Sequence, residues 1–269
     1  MLSSHPVPSV TVTAIAVLLG VGAGLDAGRL ALLGGAMLAD QLSVGWSNDW
    51  IDAERDRAVG RSDKPVARGA ISARTVRTAA LSAAVVSIGL FFVTGPLAGV
   101  AHLIFLASAW SYNAGVKSTL ASPVPYLVSF ALLPVLVGLV AVPPFVVAWW
   151  AVLAGGLLGV AAHFTNVLPD LEEDRRTGVH GLPHRLGRRV SGFCAFALLA
   201  LAGLTAVTGL TGLGTVPVVL FSGVQVAVAG TGAWLVTTRT PRRILFLLIL
   251  LSALLSVAAL ALSGQRIRG

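Results

Sequence analysis

A chain of 269 residues that is 56% hydrophobic and only 11% charged sits far below the charge content of a soluble domain, which is about 25%. No water-soluble fold of this length hides so much apolar surface. The net charge of +8 would suit a nucleic-acid partner if it formed one patch; it is instead spread over short connections between apolar runs, so no such partner is expected.

Apolar runs of about 20 residues, the length a bilayer demands, predict nine helices. They lie near residues 10–25, 29–50, 74–93, 97–113, 121–141, 144–168, 190–209, 213–236 and 243–263. The stretch from Met1 to Ser9 lacks a basic region and is expected to lead into the bundle rather than to act as a cleaved signal. The 30 glycines suit close helix approach in lipid. The single cysteine, Cys194, lies in an apolar run and excludes an internal disulfide.

The connections after the third, fifth and seventh runs hold no charge. Those after the second, fourth, sixth and eighth hold 16 of the 19 basic residues. Only Arg29, Arg266 and Arg268 fall on the other face. By the positive-inside rule the charged face is cytoplasmic, with the N-terminus inside and the C-terminus outside. With no linker along the chain, the expected fold is all-α: a polytopic membrane helical bundle forming one domain over 1–269, surrounded by membrane lipid and with no obligate protein partner evident.

Two acidic stretches stand out. Asn48, Asp52 and Asp56 follow the second run, and Asn166, Asp170 and Asp174 follow the sixth. Both read N-x-x-x-D-x-x-x-D and are followed directly by an arginine, Arg57 and Arg175. Residues spaced i, i+4 and i+8 share one face of a helix. Each triplet therefore makes a polar stripe at the cytoplasmic end of a span. Oxygen donors in this pattern suit Mg²⁺, a hard cation that takes one or two carboxylates together with substrate phosphates. Two such stripes would hold a diphosphate through metal ions, since anions attract only across a cation. Beside the first stripe, the loop from Arg57 to Arg68 supplies cations that bind phosphate oxygens, Arg61 and Lys64 foremost. His163, one turn before Asn166, is a candidate lining residue.

The strings NDWIDAERDRAVGRSDKPVARGAIS and NVLPDLEEDRRTG together resemble the UbiA superfamily of intramembrane prenyltransferases, in length, span count and motif placement. The resemblance implies nine helices, Mg²⁺ as cofactor, a prenyl diphosphate and a small hydrophobic acceptor as substrates, and transfer of the prenyl group to an aromatic or quinone-precursor acceptor. It assigns Asn48, Asp49, Asp52 and Asp56 to the first metal-binding motif, and Asp170 and Asp174 to the second with Asn166 at its head. The carboxylates Asp52, Asp56, Asp170 and Asp174 would carry the catalysis. Arg61, Lys64, Asn48, Asn166, Tyr112 and Lys117 are implied as diphosphate contacts. Lys64 stands where an arginine is usual, and the Tyr112–Lys117 spacing is one residue longer than in some relatives. Where many relatives have a lysine after the second motif, this chain has Arg175, Arg176 and His180. A terpene cyclase of the same family is the second reading. A transporter is the third, disfavoured because the carboxylates cluster at one face rather than at the midplane.

Overall fold

The computed structural model describes residues 6–61, 64–168, 171–176, 178–210, 214–238, 242–262 and 267–269. Nine long helices carry the bundle: α1 (Pro6–Gly22), α2 (Ala27–Ile51), α4 (Ala73–Thr94), α5 (Pro96–Asn113), α6 (Val124–Val140), α7 (Trp149–Val167), α9 (Leu182–Leu210), α10 (Thr215–Thr237) and α11 (Arg242–Leu262). Two six-residue helices, α3 (Ala53–Ala58) and α8 (Leu171–Arg176), follow α2 and α7. Among the described residues there is no strand; an isolated bridge pairs Val147 with Arg268. Each long helix coincides with one apolar run of the sequence, so the all-α membrane bundle is the fold.

Among the described residues four helices (α4, α7, α9 and α10) are long and apolar enough to cross a membrane by length and composition alone. Three of the others depart for physical reasons. At 17 residues, α1 and α6 are short. The 25-residue α2 carries Arg29, Asp40 and Asp49 along its length. Many large apolar side chains remain exposed, Val85, Val93, Leu204 and Val226 among them, as expected where the surrounding medium is lipid rather than water.

Local chemistry sets the helix ends. The Asp26 carboxylate accepts from the Arg29 amide at 3.0 Å and starts α2; the Ser72 hydroxyl accepts from the Thr75 amide at 3.0 Å and starts α4. Both are N-caps that satisfy otherwise orphaned amides. At the far face, Arg29 donates to the carbonyls of Thr94 and Val140 at 3.1 and 3.2 Å, and Arg268 stacks on the Phe145 ring at 4.6 Å. Arg29 thereby binds the negative ends of α4 and α6, where a cation is favoured. This gives a structural reason for two of the three basic residues that break the charge asymmetry.

Helix α7 lies against α6 across a small-residue face. A Cβ on Gly159 would come within 2.5 Å of the Tyr126 carbonyl oxygen, and one on Gly155 within 2.5 Å of the Phe130 carbonyl oxygen. No side chain fits there, and the two backbones approach as small residues permit in lipid. That contact fixes the height of Tyr126 and Phe130 beside the cavity described next.

Candidate active site

The first acidic stretch lies at the junction of α2 and α3. Asp52 closes α2, and its backbone keeps helical bonding across the break: the Asp52 amide reaches the Asn48 carbonyl at 2.9 Å, and the Asp56 amide the Asp52 carbonyl at 2.8 Å. The expected stripe therefore persists through the change of helix. Asp49, Asp52 and Asp56 are all buried, while Glu54 is exposed on the opposite side. Buried carboxylates are costly unless paired, and each of these is paired. The Lys64 ammonium stands 3.1 Å from Asp49 and 2.9 Å from Asp56. The Lys117 ammonium is held by both oxygens of Asp52 at 2.5 and 2.6 Å. Arg55 donates to Asp52 at 2.9 Å.

Lys64 and Lys117 are the only two lysines in the chain; every other basic residue that could face the cytoplasm is arginine. Their environments differ. Burial lowers the Lys117 pKa and outweighs the Asp52 carboxylate, with Arg55 and Lys64 adding like charge. At Lys64 burial acts the same way, yet the Asp56 hydrogen bond and the Asp49 and Asp56 charges outweigh it and raise the pKa.

Asn48 ties this centre to α5. Its amide donates to Asp52 at 3.1 Å and to the Asn113 side-chain carbonyl at 3.3 Å, and its own carbonyl accepts from Lys64 at 3.3 Å. Asn113 in turn donates to the Val44 carbonyl and to Ser47 at 2.9 and 2.8 Å. Sequence reasoning passed over Asn113; a lone amide beside Tyr112 at the end of an apolar run was the available signal. Arg61 lies half-buried in the loop after α3 and is engaged by neighbours.

The second stretch closes α7. Asn166 is exposed, and its amide meets the Tyr126 hydroxyl at 3.4 Å. Asp170 lies outside the described residues. Asp174, on α8, pairs with His184 at 3.2 Å. The chain then returns against the Lys117 loop: the Leu182 amide donates to the Ser122 hydroxyl at 3.0 Å. A Cβ on Gly181 would fall 2.4 Å from the Lys117 carbonyl oxygen. This close approach brings the segment after the second stretch alongside the first.

Asn48 and Asn166, the heads of the two stretches, line one cavity of about 300 Å³ among α1, α2, α5, α6, α7 and α11. The chain's only two tyrosines, Tyr112 and Tyr126, both line it and meet edge to face at 5.2 Å. Deeper, the wall becomes apolar, with Phe105, Phe130 and Leu133. His163, a candidate lining residue by position, is not among the residues that line this cavity. It stands behind the tyrosines, 5.6 Å from Tyr112 and 4.9 Å from Tyr126 between ring centres, with its Nε2 3.1 Å from the Ser122 hydroxyl.

Among the described residues no three His, Cys, Asp or Glu side chains form a metal cluster. The donor set nonetheless fits Mg²⁺. Asp49 and Asp56 already converge on a single cationic position, that of the Lys64 ammonium, and carboxylate and amide oxygens are the hard ligands this ion takes.

Fold and site together define a multi-pass membrane protein in which the heads of the two N-x-x-x-D-x-x-x-D stretches, Asn48 and Asn166, line one largely apolar chamber. The chain belongs to the UbiA prenyltransferase family, whose model matches residues 9–254. It is 28% identical over 153 residues to the digeranylgeranylglyceryl phosphate synthase of Pyrococcus horikoshii, covering 55% of this chain and 53% of that protein; the chain thus spans about half the length of the curated relative it matches. The fold is also that of a UbiA homolog from Archaeoglobus fulgidus bound to GPP and Mg²⁺, with a TM-score of 0.73, 15% identity and 97% and 98% of the two chains covered. A UbiA homolog from Aeropyrum pernix K1, solved in its apo form, superposes with a TM-score of 0.71 at 21% identity, over 93% of this chain and 96% of that one.

Proposed function

We propose that the chain is a single-domain, Mg²⁺-dependent prenyltransferase that moves an isoprenyl group from a prenyl diphosphate to a small hydrophobic acceptor. The observation that carries this reading is the shared cavity, with Asn48 and Asn166 at its polar end and an aromatic and apolar wall beyond. A diphosphate with a hydrocarbon tail has that same polarity. Asp49, Asp52 and Asp56, with Asp174 and Asp170 of the second motif, would hold the metal. When bound, Mg²⁺ supplies the positive charge that makes a departing diphosphate a stable leaving group.

The protein's own residues do the rest. Lys64, Lys117 and Arg61 offer charge-assisted donors to phosphate oxygens. Asn48, fixed between Asp52, Asn113 and Lys64, offers an oriented amide at the head of the chamber. The bond between prenyl C1 and the diphosphate oxygen breaks with its electron pair on the diphosphate. The acceptor bonds to C1, and its displaced proton passes to the diphosphate. Tyr112 and Tyr126 present ring faces that favour developing positive charge, while the apolar wall keeps water from C1.

Topology follows from the same reading. The α2–α4 and α7–α9 connections, rich in arginine, face the cytoplasm, so the site opens near that surface with the N-terminus inside. Diphosphate release from geranyl diphosphate by the purified protein, supplied with a panel of small hydrophobic acceptors, tests the function. Release should stop in excess EDTA and return with Mg²⁺; undiminished release in the chelator would sink the site assignment as well as the choice of ion.

A further inference from the structure

Asp174 is carried by α8, a helix of only six residues. Helices shorter than about 12–15 residues are marginal on their own, so the direction of Asp174 must come from what α8 packs against. Its first residue, Leu171, is buried in the same core cluster as Leu168 and Leu199. Its last turn meets one residue of the next helix, His184. The His184 Nε2 lies 3.2 Å from an Asp174 carboxylate oxygen, and the His184 backbone carbonyl accepts from the Arg175 guanidinium. Two successive residues of α8 are thus gripped by one residue, through its side chain and through its backbone.

His184 is itself fixed from both sides. Three residues before it, Gly181 lies against the Lys117 carbonyl, and the Leu182 amide donates to the Ser122 hydroxyl. Three residues after it, Gly187 breaks α9 with φ 75° and ψ 172°, a conformation that a residue with a Cβ rarely adopts. Ser191 braces the break by donating to the Pro183 carbonyl at 3.0 Å. The turn 182–186 therefore stands apart from the rest of α9 and reaches from the Lys117 loop to α8. Lys117 holds Asp52 of the first stretch. Within four residues, then, the chain runs from the loop that holds one acidic stretch to a side chain that holds the other.

His184 is 2% exposed. A carboxylate only accepts, so Nε2 carries the hydrogen of this pair. The other ring nitrogen, Nδ1, is buried and has no hydrogen-bond partner among the described residues. An apolar ring would fill the same space without an unpaired buried atom, which is costly. What histidine adds here is the Nε2–H bond to Asp174.

We infer that His184 is a positioning residue for the second acidic stretch, holding the Asp174 carboxylate oriented for Mg²⁺ and in fixed register with the Lys117 loop. This rests on the prenyl-transfer reading and adds to it a residue outside both motifs. Carboxylates that bind metal are themselves oriented by hydrogen bonds, and losing such a partner weakens the metal about 10-fold to 100-fold. His184 itself touches neither metal nor substrate.

The test follows Mn²⁺, a divalent ion that shares the preference of Mg²⁺ for oxygen ligands and is visible by electron paramagnetic resonance. Purified full-length protein is titrated with Mn²⁺ beside geranyl S-thiolodiphosphate, in which a C–S bond replaces the cleavable C–O bond. His184→Phe keeps a ring and removes the donor, and should bind Mn²⁺ about tenfold or more weakly than the parent. His184→Gln can bring its amide nitrogen to the place of Nε2 and should stay within about threefold of the parent. His184→Asn is one methylene too short to do so and should be as weak as His184→Phe. His180→Ala, at an exposed position four residues earlier, should match the parent. Parental binding by His184→Phe overturns the inference. Equal binding by the Gln and Asn variants also overturns it, and that comparison holds even where the Phe variant does not fold. A parent protein that binds no Mn²⁺ beside the analogue ends the metal-dependent prenyl-transfer reading, whereas a parent that binds it, with His184→Phe unaffected, ends only the assignment of His184.

Discussion

Asp52 and Glu54 are two residues apart and bear the same chemical group in opposite settings. Asp52 is buried between Lys117, Arg55 and Asn48; Glu54 is exposed. Replacing Asp52 with alanine would leave Lys117 as an unpaired buried charge, a defect on the order of 3–5 kcal/mol, so the informative change is Asp52→Asn, which removes the carboxylate charge but keeps the volume and one oxygen to accept from Lys117. Its turnover should fall about 100-fold or more, the scale of a lost charge-stabilising group, with membrane-inserted protein retained. Glu54→Ala should stay within about twofold of the parent, as exposed sites away from special features do. Asp170→Ala is expected to match Asp52→Asn in steady-state assays of prenyl transfer. If Glu54 were essential and Asp52 dispensable, the assignment of one helix face would be wrong.

The two lysines give a pH prediction whose signs oppose. Lys64 has its pKa raised above 10.5, because the carboxylates of Asp56 and Asp49 outweigh burial; its ion pairs stabilise the fold fully below 10.5 and are lost as pH climbs through the raised value. Lys117 has its pKa lowered, burial first among the causes. Between that lowered value and 10.5 the unfolded chain binds more protons than the folded one, so this residue makes stability rise with pH. Acylation of the native protein across a pH series, read by peptide mass spectrometry, should modify Lys117 at lower pH than Lys64. No other lysine exists to confuse the reading.

At the scale of elements, α6 and α7 depend on the absence of side chains between them. Gly159→Ala forces a Cβ to within 2.5 Å of the Tyr126 carbonyl. Backbone cannot yield as a side-chain tip does, so overpacking on the order of 1–3 kcal/mol is expected, together with displacement of Tyr126 from the cavity wall. Thermal unfolding in detergent should show a lower midpoint, and the loss of activity should exceed what the remaining folded fraction explains. The existence of the nine long helices was legible, because each span is an apolar run closed by charge, glycine or proline, whereas the six-residue α3 and α8 carry no such run. The spacing of the first stripe, Asn48, Asp52 and Asp56, was legible too, because helical bonding continues across the end of α2. What could not be read was which helices touch. The docking of Gly181 on the Lys117 loop, the amide link from Asn48 to Asn113, and the placement of His163 behind Tyr112 and Tyr126 all depend on contacts between residues 37 to 65 positions apart. Periodicity carries no information at that range, and a lone histidine in an apolar helix reads alike on either side of a ring.

At the scale of the molecule, the arginine asymmetry predicts an orientation. Cysteines placed at 60 and 178, in a Cys194→Ala background, should react with a membrane-impermeant maleimide in inside-out vesicles and not in intact cells. Labelling from outside would reverse the proposed topology. Arg29 and Arg268 do not contradict the asymmetry. Arg29 is held by helix-end carbonyls and Arg268 by the Phe145 ring, so each has a packing reason to lie where it does.

The chamber is walled by helices whose outer faces meet lipid, and its deep end is apolar. Under the proposed function its acceptor is a small hydrophobic molecule that partitions into the bilayer. Encounter then takes place in a thin sheet rather than in a volume, and the quantity that sets its frequency is the number of substrate molecules per lipid. Adding buffer to a suspension of such vesicles leaves that ratio untouched, while adding phospholipid lowers it. Saturation curves for this protein therefore acquire meaning when plotted against mole fraction in the membrane, and the same preparation would give discordant constants in molar units whenever its lipid content changed.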